Sequence, residues 1–100
     1  MQIDWTPTAI ADLASIYNHI AADSPRYAIA VADRLTARTK QLSIFPLSGQ
    51  MVPEYHRDDI REVIEYSYRI LYQVGESNIS ILALIHGANP LPDTPPQMAE

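Results

Sequence analysis

One hundred residues suffice for one small domain with a core of modest size, and 47% hydrophobic against 19% charged residues makes its body globular rather than disordered. Twelve acidic against seven basic side chains give a net charge of -5, which disfavours non-specific binding to a nucleic-acid backbone. Cysteine is absent, so disulfides and thiolate metal sites are excluded. The opening MQIDW has no signal-peptide pattern, and no apolar run approaches the roughly 18 residues of a membrane span, so the expectation is a cytoplasmic protein with no membrane partner.

Ile3 and Trp5 alternate with Gln2 and Asp4, the pattern of a short edge or terminal strand. Thr6 then offers a hydroxyl cap, with Pro7 at the first helical position where its missing N–H costs nothing. Ile10, Leu13, Ile16, Tyr17 and Ile20 form one apolar stripe, and the first helix should run from about Pro7 to Ala22. Ser24-Pro25 repeats the start signal after a gap that allows only a tight turn, so an antiparallel helix hairpin is expected. Its second arm presents Ala28, Val31, Leu35 and Leu42, with Phe45 near the end, and Pro46 stops it. From Pro46 to Ile60 the reading is loop, punctuated by Pro46, Gly49 and Pro53.

Three strands follow. Arg61 to Tyr66 alternates Arg61, Val63 and Glu65 against Glu62, Ile64 and Tyr66. Tyr68, Ile70, Tyr72 and Val74 then alternate with Ser67, Arg69, Leu71 and Gln73. Gly75 to Ser77 supplies a turn, and Asn78 to His86 sets Ile79, Ile81, Ala83 and Ile85 against Ser80, Leu82, Leu84 and His86. This last strand is apolar on both faces. One face can pack on the helices; the other needs either more of this chain or a partner, since Leu82 and Leu84 beside Leu71 would otherwise form an exposed patch. The Pro-rich segment 90–100 shows no period and reads as a mobile or partner-dependent tail beyond a domain of residues 1–89. The fold class is α+β, with an N-terminal strand, a two-helix antiparallel hairpin and a three-stranded antiparallel sheet.

The segment FPLSGQMVPEYHRDDIREVIEYSYRILY, from Phe45 to Tyr72, resembles the FP..G..VPE loop, the R-E-V strand and the YRI.Y strand of the ParE branch of the ParE/RelE toxin superfamily. With the W-T-P..A..DL..I opening at Trp5 to Ile16, the D-S-P step at Asp23 to Pro25 and the strand ending at His86, the resemblance covers about nine tenths of the chain. It implies two helices on one face of a mostly antiparallel sheet. It also implies the toxin of a type II toxin–antitoxin module, with a cognate antitoxin and DNA gyrase as partners and a hetero-oligomer with the antitoxin. In the RelE branch the open sheet face instead cuts ribosome-bound mRNA with basic side chains and a C-terminal tyrosine or histidine.

The residues weigh between these branches. Arg69 matches the arginine of the YR strand; an ion pair with Glu62 or Glu54 is its commoner role, catalysis the rarer. Arg61 has the same two readings, with a strand-end charge favoured. Glu54, Arg69 and His86 would supply the carboxylate, guanidinium and imidazole of a general acid/base ribonuclease, but nothing in the sequence sets their mutual distance, and His86 reads first as a structural histidine. His19 and His56 have no ligand spacing with each other or with His86, so neither metal nor cofactor is expected. Gly49-Gln50 and Asn89-Pro90 stand where the family often has an arginine. Both losses of charge weaken the case for holding RNA and for full ParE-type potency, so direct nucleic-acid binding is not expected. Partner contact is assigned to Arg61, Arg69, Leu71, Leu82 and Leu84.

Overall fold

A computed structural model describes residues 1–96. The chain opens with β1 (Gln2–Trp5), then α1 (Pro7–Ala21) and α2 (Pro25–Gln41), and continues through β2 (Gln50–Met51), β3 (Ile60–Glu65), β4 (Tyr68–Val74) and β5 (Asn78–His86). Both helices start at the hydroxyl-proline steps. Thr6 Oγ1 accepts from Ala9 N–H at 3.1 Å and Ser24 Oγ from Tyr27 N–H at 3.2 Å, each satisfying an otherwise orphaned donor. Thr6 does more than cap, because its hydroxyl also donates to the Leu82 carbonyl at 3.1 Å and ties the start of α1 to the sheet. The second helix ends at Gln41, shorter than the apolar stripe suggested, and Phe45 lies outside the core on the turn that follows.

The strands form one five-stranded sheet in the order β1-β5-β4-β3-β2, with β1 parallel to β5 and every other pair antiparallel. The segment read as pure loop therefore contains a two-residue strand, in which Gln50 pairs with Glu62 and Met51 with Arg61. So short a ladder has no periodicity to read. Among the described residues no helix is long and apolar enough to cross a membrane.

Each sheet face carries its own apolar cluster. On the helix side Val31 and Leu35 of α2 and Leu42 just after it meet Val63, Ile70, Tyr72, Ile79, Ile81 and Leu84. On the other side Val52, Ile60, Leu71, Leu82 and Ala83 are buried beneath Tyr55, Ile85 and Leu91. A register shift separates them: Leu71 faces Ala83 but Tyr72 faces Ile81, so Leu82 is an extra residue in β5. The bulge reverses the alternation beyond it, sending Leu84 to the helix side and Ile85 to the opposite one.

Of the two covers open to Leu71, Leu82 and Leu84, it is the chain itself that serves, so what is corrected is their common face and their availability to a partner. All three are buried, Leu84 under the helices and the other two by the chain itself. The cover includes the tail, which was expected to be loose: Leu91 packs on the cluster and Tyr55 Oη donates to the Pro92 carbonyl at 2.9 Å.

Candidate functional site

Arg69 lies on the face of β4 that the helices do not cover, beside Glu62, which β3 places two residues along from its direct partner Ile64. The guanidinium meets Glu62 side-on, with Nε to Oε1 at 2.6 Å and Nη2 to Oε2 at 2.9 Å. Glu54, from the loop between β2 and β3, takes the remaining edge, with Nη1 to Oε2 at 3.1 Å and Nη2 to Oε1 at 3.2 Å. Glu62 is only 3% exposed, and Gln50 Nε2 also approaches it at 3.4 Å. A buried carboxylate in this setting needs paired, hydrogen-bonded charge, and the two-pronged guanidinium provides it. Its hydrogen bonds to Glu62 first, then to Glu54, raise the Arg69 pKa further above its already high range. The hydrogen bond from Arg69 lowers that of Glu54. One cation between two carboxylates leaves the cluster net negative.

His86 does not join this set. Arg69 is paired across the ladder with Ile85, whereas His86 faces Tyr68 and shares the helix-side face with it, its ring edge-on to the tyrosine at 5.4 Å between centroids. The bulge is again the cause. A carboxylate-arginine-histidine set therefore does not assemble from Glu54, Arg69 and His86; the first two meet and the third lies across the sheet.

His86 lines a separate open cavity of about 550 Å³ with Asp12, His19, Tyr68 and Asn89. Asp12 accepts from the Leu84 N–H at 3.0 Å, and burial raises its pKa. No three His, Asp or Glu side chains among the described residues are arranged to hold a metal ion.

Arg61 points to the helix side, where its Nη1 donates to the Gly49 carbonyl at 2.9 Å. Next to it the buried Tyr72 hydroxyl accepts from Gly49 N–H at 2.9 Å and donates to the Pro46 carbonyl at 2.8 Å, and burial raises its pKa. Arg61 and Tyr72 thus clamp the loop after α2. A side chain at Gly49 would stand 2.5 Å from both the Tyr72 hydroxyl and the Glu62 carbonyl, so only glycine allows this approach. The loop so held exposes Ile44 and Leu47, which the helical stripe did not include, and Phe45, which was expected at its end. A signal was present: Ile44 and Leu47 continue an apolar run past Leu42 out of phase with the helical stripe.

Residues 3–91 match the family model described as ParE toxin of type II toxin-antitoxin system, parDE. The chain is 31% identical to Toxin RelE2 of Caulobacter vibrioides over 87 residues, 87% of this chain and 96% of that protein. Among solved structures, the chromosomal ParDE TA system from P. aeruginosa superposes with a TM-score of 0.71 at 24% identity, covering 86% of this chain and 95% of that one. The RelBE2 toxin-antitoxin complex of Mycobacterium tuberculosis superposes with a TM-score of 0.57 at 24% identity, covering 85% and 95%.

Proposed function

Because the chain belongs to the ParE toxin family of type II toxin–antitoxin systems, we propose that it works in the cytoplasm by docking on DNA gyrase, stopping that enzyme through protein contact, and that a cognate antitoxin neutralises it in a hetero-oligomer. The enclosure of Arg69 carries this reading. Cleavage of an RNA phosphodiester draws on a cation free to meet developing negative charge, but the Arg69 guanidinium already donates to all four carboxylate oxygens of Glu54 and Glu62. The net negative charge of that cluster repels a phosphate, whereas docking on a protein surface asks for no such cation.

Ribosome-dependent mRNA cleavage is the second reading, favoured by the likeness to a relative that bears a RelE name. A titration of gyrase supercoiling with the free toxin tests both. Inhibition saturating near equimolar enzyme is the expected result. Cleavage of mRNA on ribosomes that disappears in Arg69→Ala would replace the gyrase reading with the second one. No inhibition at any excess, with no cleavage, would leave a family member that binds its antitoxin without being toxic.

A further inference from the structure

From Arg34 to Pro53 the chain carries Arg34, Arg38 and Lys40 and not one Asp or Glu, in a protein of net charge -5. The fold gathers the end of this stretch at one corner. Arg34 is engaged by Glu65 at 2.8 Å, but among the described residues the Arg38 side chain donates only to the neutral Gln41, at 3.1 Å, and Lys40 stands exposed. One turn further on, Ile44, Phe45 and Leu47 are 72%, 63% and 63% exposed. Single exposed apolar side chains are ordinary; three within four residues form a patch that calls for a cover.

The patch is held in place. The N–H groups of Ser43, Ile44 and Phe45 donate back to the carbonyls of Lys40 and Gln41, and the Tyr72 hydroxyl bridges Pro46 and Gly49. An anchor already ordered loses little entropy when a partner covers it. Through Ser48 the corner continues into a groove of about 310 Å³ beside Arg38, Val63 and the exposed Ile64. The carboxylate that lines this groove, Glu62, is buried and already held by Arg69. What remains available is apolar surface flanked by positive charge.

We propose that this corner is the seat of an acidic segment of the antitoxin, with apolar side chains against Phe45 and Leu47 and Asp or Glu against Arg38 and Lys40. The assignment rests on the toxin–antitoxin reading and adds the surface and the chemistry of the segment that covers it. A second copy of this chain suits the corner poorly, since two such corners face to face would oppose Arg38 and Lys40 with the same cations.

Calorimetric titration of the purified toxin with the purified product of the adjacent reading frame tests the assignment. The doubly substituted Phe45→Ser, Leu47→Ser toxin should bind at least about 10-fold more weakly, since buried aromatic anchors dominate such interfaces. Both substitutions are at exposed positions, and an unchanged unfolding temperature checks that the fold is kept. Lys40→Glu should weaken binding at low salt, by a factor that shrinks as salt screens the pair. If the wild type binds and both variants match it within about two-fold, the corner is overturned while the toxin–antitoxin reading stands. If the wild type does not bind at all, that reading fails and takes the assignment with it. A free toxin dimer that Phe45→Ser, Leu47→Ser dissociates, with antitoxin affinity unchanged, would give the corner to a second copy instead.

Discussion

The two faces of the sheet are built by different means. On the helix side, long amphipathic elements meet strands in regular alternation, and Val31, Leu35, Ile70, Tyr72, Ile79 and Ile81 are almost wholly removed from water. On the other side a smaller cluster is closed by pieces without regular structure, namely Tyr55 from a loop and Leu91 from the tail, and the ion-paired group of Glu54, Glu62 and Arg69 shares that face. The first face supplies most of the apolar burial that holds the domain together. The second is where polar side chains are concentrated and where cover depends on segments with few contacts of their own, the kind of region that opens locally before the domain unfolds.

The sharpest test of this contrast compares one residue from each face. Ile70→Ala leaves a cavity in the packed layer under the helices and should cost about 2 to 5 kcal/mol in denaturant unfolding. Leu91→Ala trims a half-buried lid and should cost about 1 kcal/mol or less, read in the same experiment. Equal losses would mean that the tail belongs to the core and that the two faces form one cooperative layer.

A loss of similar size at a polar position would qualify the contrast. Arg69→Ala leaves Glu62 buried without its partner and should destabilise by about 3 kcal/mol at neutral pH. Replacing the pair together, as Glu62→Leu with Arg69→Met, should recover much of that loss, because the desolvation of two charges is removed along with their attraction. Failure of the double variant to recover would show that Glu54 and Gln50, rather than the pair alone, organise this face.

The smallest expected effect is in the acid limb of stability. Arg69 holds the folded-state pKa of Glu54 below its ordinary value of 4.5, so Glu54 contributes stability that is present above that value and lost as pH falls through the lowered folded value. Glu54→Gln should therefore lower the unfolding temperature slightly at neutral pH and make its decline below about pH 4.5 shallower. Asp12 acts with the opposite sign. Burial raises its folded pKa, so its contribution is present below its ordinary value of 3.8 and lost as pH rises through the folded value. An acid limb left unchanged by Glu54→Gln would mean that the Arg69–Glu54 contact does not persist in solution.

Much of this architecture was legible in the chain. Thr6-Pro7 and Ser24-Pro25 announced both helix starts, because a cap and a proline act on donors within one turn of themselves. An ion pair of Arg69 with Glu62 or Glu54 was the commoner role of such an arginine, and the ladder register places Glu62 on its face. The two-residue β2 escaped because its pairing lies entirely in the partner strand.

What the sequence by itself determined was the order and type of the long elements, the buried positions Ala28, Val31 and Leu35 of α2 and the carboxylate partners open to Arg69. All of these depend on neighbours two to four positions away, or on the pairing of consecutive strands. In α1, by contrast, the expected Ile10 is exposed and Ala9 is buried instead. Only the tertiary structure decided which face Leu84 and His86 occupy, that the tail returns over Leu71 and Leu82, and that Ile44, Phe45 and Leu47 stand outside the core. The reason is common to all three. A bulge is a property of two strands in register, a lid of the surface it closes, and an exposed loop of a clamp such as Tyr72 that is 26 residues from Pro46 in the chain, and none of these leaves a local period to read.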